Sequence, residues 1–303
     1  MSGLAFEREL DFAHGRTDQV SPLIRRLICN NPGPFTFTGT GTYIVGENNV
    51  AVIDPGPLNE AHYADLIGEL DGKTVSHIII THTHMDHSPL AARLKADTGA
   101  KTYAYGPHGS GRARQVESGD VRLDASGDMD FVPDVEVRHG DVIEGTGWTL
   151  EAVFTPGHTS NHMAFALAEE NALFSGDHVM AWSTSVITPP DGNMSDYFSS
   201  LETVLGRSDE IYWPTHGPPK RAPRDFVRGF VTHRKMREEA ILRRIQKGDY
   251  TIGEIVKAVY AEVDPKLHPA AAMSTFAHVE HLLERGKIVT DGVPSLTSEY
   301  RAR

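Results

Sequence analysis

The chain has 303 residues with 39% hydrophobic and 23% charged side chains, which gives room for one large globular domain or for a large and a small one. Its apolar runs are too short to span a membrane, and its single cysteine, Cys29, excludes an internal disulfide and a cysteine-rich zinc site. The net charge is −12, yet residues 221–303 hold 15 basic and 11 acidic side chains, a local balance of +4.

The part of the chain up to residue 220 predicts strands mixed with helices, which favours a layered α/β fold over an all-β barrel. In chain order, the pattern predicts strand 35–45, strand 50–53, helix 58–70, strand 75–80, helix 89–98, strand 101–105, a long loop over 106–133, strands 135–137, 148–154, 163–167 and 172–175, helix 193–205 and strand 210–213. A loop as long as 106–133 is typical of a functional segment.

The composition changes near residue 220, where Pro218, Pro219 and Pro223 interrupt the pattern. After them, the sequence predicts helices over 226–246, 251–260 and 270–284 and a strand over 286–289. We therefore predict two domains. The larger covers residues 1–220, with 1–20 as an N-terminal extension, and the smaller, mostly helical one covers residues 221–303.

The segment Thr81-His82-Thr83-His84-Met85-Asp86-His87 places three imidazoles and one carboxylate within six positions. It directly follows the run 75–80, which predicts a buried strand. Polar side chains at the end of such a strand are costly unless something pairs with them, and a transition metal would do so. Imidazole and carboxylate suit zinc, iron or manganese, and alternating His-x-His lets two rings approach one ion from one side of an extended backbone. His82, His84, Asp86 and His87 are therefore candidate ligands.

Three later segments share this design, with a ligand-type residue at a strand end or turn beside glycine or proline. They contain His158 in Pro-Gly-His-Thr, Asp177 in Ser-Gly-Asp and His216 in Pro-Thr-His-Gly. The flanking glycines and prolines predict tight turns that bring the backbone close to the site. The chain thus offers seven candidate ligands, whereas one tetrahedral ion needs three or four. This number predicts two ions that share one carboxylate.

The order of these motifs, His-x-His-x-Asp-His, then Pro-Gly-His-Thr, Gly-Asp and a Gly-flanked His, resembles the metallo-β-lactamase superfamily of hydrolases over roughly residues 35–218. The resemblance implies an αββα sandwich with a dinuclear site at one edge, between the two sheets. It implies two ligand groups bridged by Asp177. The first group is His82, His84 and His158, and the second is Asp86, His87 and His216. The smaller domain is similar to the winged-helix-like tail of the lactamase-beta-2-like group.

Such a site predicts two zinc ions, or Mn²⁺ or Fe²⁺ in their place, that share one water and lower its pKa towards ~7. The resulting bridging hydroxide would attack a small ester, thioester, lactone or amide. Asp86 and Asp177 are the predicted catalytic residues, which offset metal charge and orient the nucleophile. The alternative function is an endoribonuclease or phosphodiesterase of the lactamase-beta-2-like type. A second alternative is iron-dependent, dioxygenase-type chemistry.

The predicted partner is a small-molecule substrate, without membrane association. The segment 221–247 has nine Lys or Arg and three acids, so RNA is a possible partner through its phosphate groups. The favoured interpretation is that the C-terminal domain is a structural lid that shapes the mouth of the site. Because residues 1–20 are acidic and have no long apolar core, we predict a cytoplasmic location.

Several other side chains near the motifs are weaker candidates. His162 is predicted either to contact the site or to make a structural hydrogen bond. His178 is predicted to be structural. Packing roles are also predicted for Trp182, Ser183, Ser185 and Tyr197.

Overall fold

The structure is a computed structural model that describes residues 4–112 and 126–303. The middle of the predicted loop 106–133 and the start of the predicted N-terminal extension lie outside the described residues. The described residues form two large sheets, one small sheet and six α-helices.

Seven strands form the first sheet, in the same order as in the chain. They are β1 Thr17–Gln19, β2 Ile24–Ile28, β3 Gly41–Val45, β4 Asn49–Ile53, β5 Thr74–Ile79, β6 Lys101–Ala104 and β7 Val135–Glu136. Strands β1 to β4 are antiparallel, whereas β4 to β7 are parallel. Parallel neighbours need a crossover connection, which helices α1 (Glu60–Leu70) and α2 (Leu90–Thr98) supply for the first two pairs.

Six strands form the second sheet, in the order β13-β12-β11-β10-β9-β8. They are β8 Val142–Gly145, β9 Trp148–Phe154, β10 Met163–Leu167, β11 Ala172–Gly176, β12 Ile211–Pro214 and β13 Lys220–Arg221. Helix α3 (Met194–Leu205) connects β11 to its parallel neighbour β12 and begins at Asn193, whose side chain accepts a hydrogen bond from the Asp196 amide.

The two sheets pack face to face with helices on both outer surfaces. The core between them takes apolar side chains from each sheet, including Tyr43 and Ile79 from the first and Phe165 and Phe174 from the second. A second core lies between the first sheet and helices α1 and α2. A third lies between the second sheet, α3 and the start of α4 (Pro223–Gln246). This arrangement is the predicted αββα sandwich.

The C-terminal part is mostly helical, as predicted. Besides α4 it contains α5 (Ile252–Val259), α6 (His268–Glu284) and the hairpin of β14 (Ile288–Thr290) and β15 (Tyr300–Ala302). A capping box between Thr251 and Glu254 begins α5. These elements form a core of their own around Ile245, Ile255 and Phe276. Three helices followed by a two-stranded wing give the winged-helix domain that the resemblance implies.

Several elements differ from the sequence predictions, among them the short strands β1, β8, β13 and β15, which the pattern does not predict. The predicted strand 35–45 is extended only over Gly41–Val45, because Phe37 takes a left-handed φ of 54° and turns the chain out of the sheet. Strand β2 was not predicted, since Arg25 and Arg26 interrupt its apolar pattern. Arg26 is nevertheless only 4% exposed in the sandwich.

Candidate metal centre

All seven predicted ligands lie in turns that follow strands at one edge of the sandwich. His82, His84, Asp86 and His87 follow β5, while His158, Asp177 and His216 follow β9, β11 and β12. The sheets are held together at this edge, because the Gly41 amide donates to the Thr215 carbonyl at 2.8 Å and Thr40 pairs with His216. The fold thus brings residues separated by more than 130 positions into one site.

The first group contains three imidazoles whose nitrogens nearly touch. His84 Nδ1 lies 3.0 Å from His82 Nε2 and 3.1 Å from His158 Nε2. Two nitrogens bound to one tetrahedral zinc at about 2.0–2.1 Å stand about 3.3 Å apart, so these separations are close to those of a metal site. The three donor atoms are therefore close enough together to hold one ion.

The second group combines two imidazoles with a carboxylate. Asp86 Oδ2 lies 3.4 Å from His87 Nε2 and 3.2 Å from His216 Nε2. Asp177 Oδ2 lies 3.4 Å from His216 Nε2 and 3.6 Å from His158 Nε2. Because His158 belongs to the first group, Asp177 stands between the two groups, in the position of a bridging ligand.

The two groups differ in charge. Burial lowers the pKa of His82 and His158, and it lowers the pKa of His84 to about 3. Burial also lowers the pKa of His216, but Asp177 and Asp86 outweigh it and raise that pKa to about 10. The first group is therefore a set of neutral imidazoles, which is the form that binds a metal ion. The second group balances its imidazoles with carboxylate charge.

Most of these imidazoles are oriented through their second ring nitrogen. His87 Nδ1 lies 2.9 Å from Asp54 Oδ2, His158 Nδ1 lies 2.5 Å from the Val186 carbonyl and His216 Nδ1 lies 3.2 Å from the Gly39 carbonyl. A partner of this kind fixes the tautomer and leaves Nε2 free to bind a metal ion. Metal-ligating histidines in proteins show the same arrangement.

Sequence reasoning missed Asp54 as a functional residue. This carboxylate is 1% exposed and accepts hydrogen bonds from the Thr81 amide and hydroxyl at 2.8 and 2.7 Å, besides that from His87. Its position in Asp54-Pro55-Gly56 reads as a turn at the end of β4. The sequence signal that could have found it is an acidic residue directly after the buried strand β4. In the sheet, β4 lies next to β5, the strand that precedes His82.

Two buried atoms of the cluster have no hydrogen-bond partner among the described residues. They are His87 Nε2 and Asp177 Oδ1, both inside the sandwich edge. Leaving such atoms unpaired is costly, and a cation bound between them would remove the cost. Three overlapping sets of residues can each surround an ion with donor atoms within 4.8 Å of one another. The donors are imidazole and carboxylate, so the residues present fit divalent transition metals.

A cavity of about 430 Å³ opens above this cluster. His84, Asp86 and His158 are at its floor, while Phe35, Met85, Met180 and Val186 contribute apolar walls. Phe35 and Met85 are 58% and 46% exposed, which is unusual for such large apolar side chains. Among the lining residues that the structure describes, none is lysine or arginine.

The remaining predicted residues lie around the cavity without lining it. His162 Nε2 accepts the Asp177 amide at 3.1 Å, so it supports the cluster through the backbone. His178 is fully buried against Tyr197, and Trp182 stacks on Phe37. Trp182, Ser183, Ser185 and Tyr197 are absent from the described cavity wall, in agreement with their predicted packing roles.

The basic segment 221–247 makes many contacts within the protein. Arg228 pairs with Asp225, Arg244 pairs with Asp249, and Arg237 donates to the Val259 carbonyl. Arg234 is buried. These contacts leave fewer cations for phosphate groups than the sequence count suggests. Among the described residues, no helix is both long and apolar enough to cross a membrane.

Comparison with known proteins agrees with this fold. The Metallo-beta-lactamase superfamily profile matches residues 36–216, and the Beta-lactamase associated winged helix domain profile matches residues 251–293. The chain belongs to the metallo-beta-lactamase superfamily. It is thus an enzyme of a hydrolase superfamily whose metal-binding residue types are present and clustered.

Several relatives span nearly the whole chain. The "Beta-lactamase-like protein 2 homolog" of Drosophila melanogaster is 28% identical over 90% of this chain and 91% of its own length. An "Atrochrysone carboxyl ACP thioesterase" of Cryptosporiopsis is 28% identical over 81% of this chain and 74% of its own. The structure of a beta-lactamase domain protein from Burkholderia ambifaria superimposes with a TM-score of 0.80 at 22% identity, covering 96% of this chain and 94% of that one.

Proposed function

We propose that this chain is a dinuclear zinc hydrolase that cleaves a small ester or thioester with an uncharged, apolar acyl group. Lactones and amides have the same carbonyl chemistry and remain within the proposal. The observation that carries it is the convergence of seven imidazole and carboxylate side chains, five of which line a cavity with an apolar mouth.

The ligand assignment follows the two groups of side chains. His82, His84 and His158 would hold one ion, Asp86, His87 and His216 would hold the other, and Asp177 would contact both. Two such ions lower the pKa of a shared water towards ~7 and polarise a substrate carbonyl. Asp86 and Asp177 would offset the metal charge and orient the nucleophile. The Thr40 hydroxyl, which donates to Asp86 Oδ2 at 3.1 Å, fixes that carboxylate.

The cavity wall supports an uncharged, apolar acyl group. Exposed Phe35 and Met85 would lose contact with water when such a group binds, which favours binding by about 25 cal/mol for each Å² that is covered. No lysine or arginine of the described wall is available to pair with a phosphodiester. Two of the relatives named above are described as a lactamase-like protein and an acyl-carrier-protein thioesterase, in line with acyl substrates.

The two alternatives have less support. RNA cleavage would need a cationic path to the cavity, and Arg228, Arg237 and Arg244 of α4 make intramolecular contacts. Iron-dependent chemistry is compatible with the same imidazole and carboxylate donors, so the metal itself has to be measured.

The test is a substrate panel on protein of known metal content. We expect about two zinc ions per chain and turnover of apolar acyl thioesters and esters, with no cleavage of single-stranded RNA. Iron together with oxygen consumption would contradict the zinc assignment. Zinc-loaded protein that cleaves RNA and no acyl substrate would contradict the proposed substrate class.

Phe35→Ala tests whether the acyl group binds at the apolar mouth of the cavity. Losing this apolar surface should raise KM for an apolar thioester about tenfold and leave kcat nearly unchanged, because the contact is the same in substrate and transition state. Val142→Ala is the matched control, since Val142 is 57% exposed and does not line the cavity. Equal KM values for both variants would place the acyl group elsewhere.

A further inference from the structure

Arg234 is a buried cation on the helix that joins the two parts of the molecule. It is 3% exposed in the middle of α4 and has no ion-pair partner among the described residues. Its guanidinium lies over the Tyr197 ring at 5.3 Å and donates a hydrogen bond to the Ser185 carbonyl. A buried arginine without a carboxylate costs more than an apolar side chain of the same size, so packing alone does not account for it.

The segment that Arg234 contacts is part of the cavity wall. Ser185 is followed by Val186, whose side chain lines the cavity and whose carbonyl lies 2.5 Å from His158 Nδ1. The Ser185 and Tyr197 hydroxyls both donate to the His178 carbonyl, at 2.7 and 2.9 Å. The Arg234 hydrogen bond therefore holds the peptide next to the one that orients His158.

We propose that Arg234 is a positioning residue for the metal centre. By holding the Ser185 carbonyl, it keeps the Val186 carbonyl in place to accept the Nδ1 proton of His158. His158 Nε2 then stays directed at His84, inside the first ligand group. The C-terminal part thereby completes the metal centre from the outside, without contributing a ligand. This inference rests on the ligand set proposed above.

Arg237 provides an internal comparison, because it makes the same kinds of contact on the same helix. Its guanidinium lies 4.2 Å from the centre of the Tyr260 ring, and it donates to the Val259 carbonyl at 3.3 Å. Those partners belong to the C-terminal part and have no connection to a proposed ligand. Removing Arg237 therefore removes the same kinds of contact from a less buried position of α4 and leaves His158 alone.

The experiment measures zinc affinity of Arg234→Met, Arg234→Lys and Arg237→Met by competition with a chromophoric chelator, and records the visible spectrum of each cobalt-substituted protein. Outer partners of metal-binding histidines contribute about 10–100-fold to affinity. Arg234 acts through one further peptide, so for Arg234→Met we expect a loss of about tenfold, at the lower end of this range, and an altered cobalt spectrum. Arg234→Lys should restore part of the affinity, because it keeps a charged donor, and Arg237→Met should match the wild type.

Two failures can be told apart. Wild-type protein that binds no metal would overturn the ligand set. Metal-binding wild type with unchanged affinity and spectrum in folded Arg234→Met would overturn only the role of Arg234.

If Arg234→Met does not fold, hydrogen exchange of the wild-type protein, measured with and without zinc, tests the proposal instead. Coupling between the sites is reciprocal, so zinc should slow exchange in α4 around residue 234 more than in α5. Equal protection of α4 and α5 would contradict the proposal.

Discussion

Histidine and carboxylate side chains are buried together at the edge of the sandwich and again between α4 and α6. In the second, Glu238 Oε2 accepts from His281 Nδ1 at 2.5 Å and Oε1 accepts from Arg285 at 2.8 Å. His278 Nδ1 lies 3.5 Å from the same carboxylate. The residue types and the burial resemble those of the metal centre, but the carboxylate already has a hydrogen-bond donor on each oxygen.

The difference shows what distinguishes a metal centre from a structural ion-pair network. At the sandwich edge, the Nδ1 atoms of His87, His158 and His216 have hydrogen-bond partners. The Nε2 atoms of these rings and the carboxylate oxygens of the cluster converge, and the donors present do not satisfy all of them. In the helical cluster, both Glu238 oxygens accept hydrogen bonds, and the two ring nitrogens of His278 are unpaired without an unpaired carboxylate oxygen beside them. Residue type alone does not separate the two cases, whereas the direction of the unpaired lone pairs does.

Among the variants that distinguish the two clusters, Asp177→Ala should have the largest effect. Removing the side chain between the two ligand groups should lower kcat by on the order of 10³-fold, about 4 kcal/mol, and release at least one ion. Elemental analysis and a hydrolysis assay measure both effects. Glu238→Ala is the matched carboxylate control and should keep its full metal content. Full activity of Asp177→Ala would refute the mechanism.

Asp54→Asn should have the next largest effect, on metal affinity. The amide keeps the shape but no longer carries the charge that orients His87, so affinity should fall about 10–100-fold. Asp134→Asn is a matched control, because Asp134 accepts from the amide and hydroxyl of Thr102 as Asp54 does from Thr81, without a histidine. Chelator competition measures both variants, and equal affinities would remove Asp54 from the site.

Glu238→Gln should change stability and not metal binding. The variant loses hydrogen bonds from His281 and Arg285 to a charged acceptor, which should lower the free energy of unfolding by roughly 1–3 kcal/mol. Urea unfolding measures this loss, and elemental analysis should find wild-type metal content. A loss of metal in Glu238→Gln would mean that the two clusters are coupled.

The pH dependence of that loss is the smallest and most specific effect. Burial raises the pKa of Glu238, but hydrogen bonds from His278 and His281 outweigh it and lower the pKa from 4.5 to about 2. A carboxylate with a lowered pKa stabilises the fold fully above its ordinary value and loses this contribution as the pH falls towards the folded one. The stability gap between metal-free wild type and Glu238→Gln should therefore shrink from pH 5 to pH 3. A stability difference that does not change with pH would contradict the assignment of this stabilisation to the Glu238 carboxylate.

The sequence predicts the ligand groups because their residue types are rare at strand ends and occur in a fixed order. It does not predict the groups that orient them. The Val186 and Gly39 partners are backbone carbonyls, which every residue has, and the Asp54 carboxylate is hidden in a turn motif. Their roles depend on which strands become neighbours, and that follows from the sheet order rather than from local pattern.

The same distinction applies to the fold. Continuous apolar runs predicted β4 and β10 well, because these strands are buried on both faces. The sequence placed the start of α4 at residue 226, whereas the helix begins at Pro223, which is tolerated in the first turn. Proline there was interpreted as an interruption, since the local pattern does not show whether it precedes a helix or breaks one.

Helix α4 contributes to two hydrophobic cores. Phe226 and Phe230 belong to the core under the second sheet, whereas Ile241 and Ile245 belong to the core of the winged helix. A chain ending at residue 220 would leave the sandwich with an uncovered apolar surface and a tendency to aggregate. The part of the molecule that can be exchanged for another module therefore begins inside the helix, between Val231 and Ile241, and a graft at that point would have to preserve the helical register.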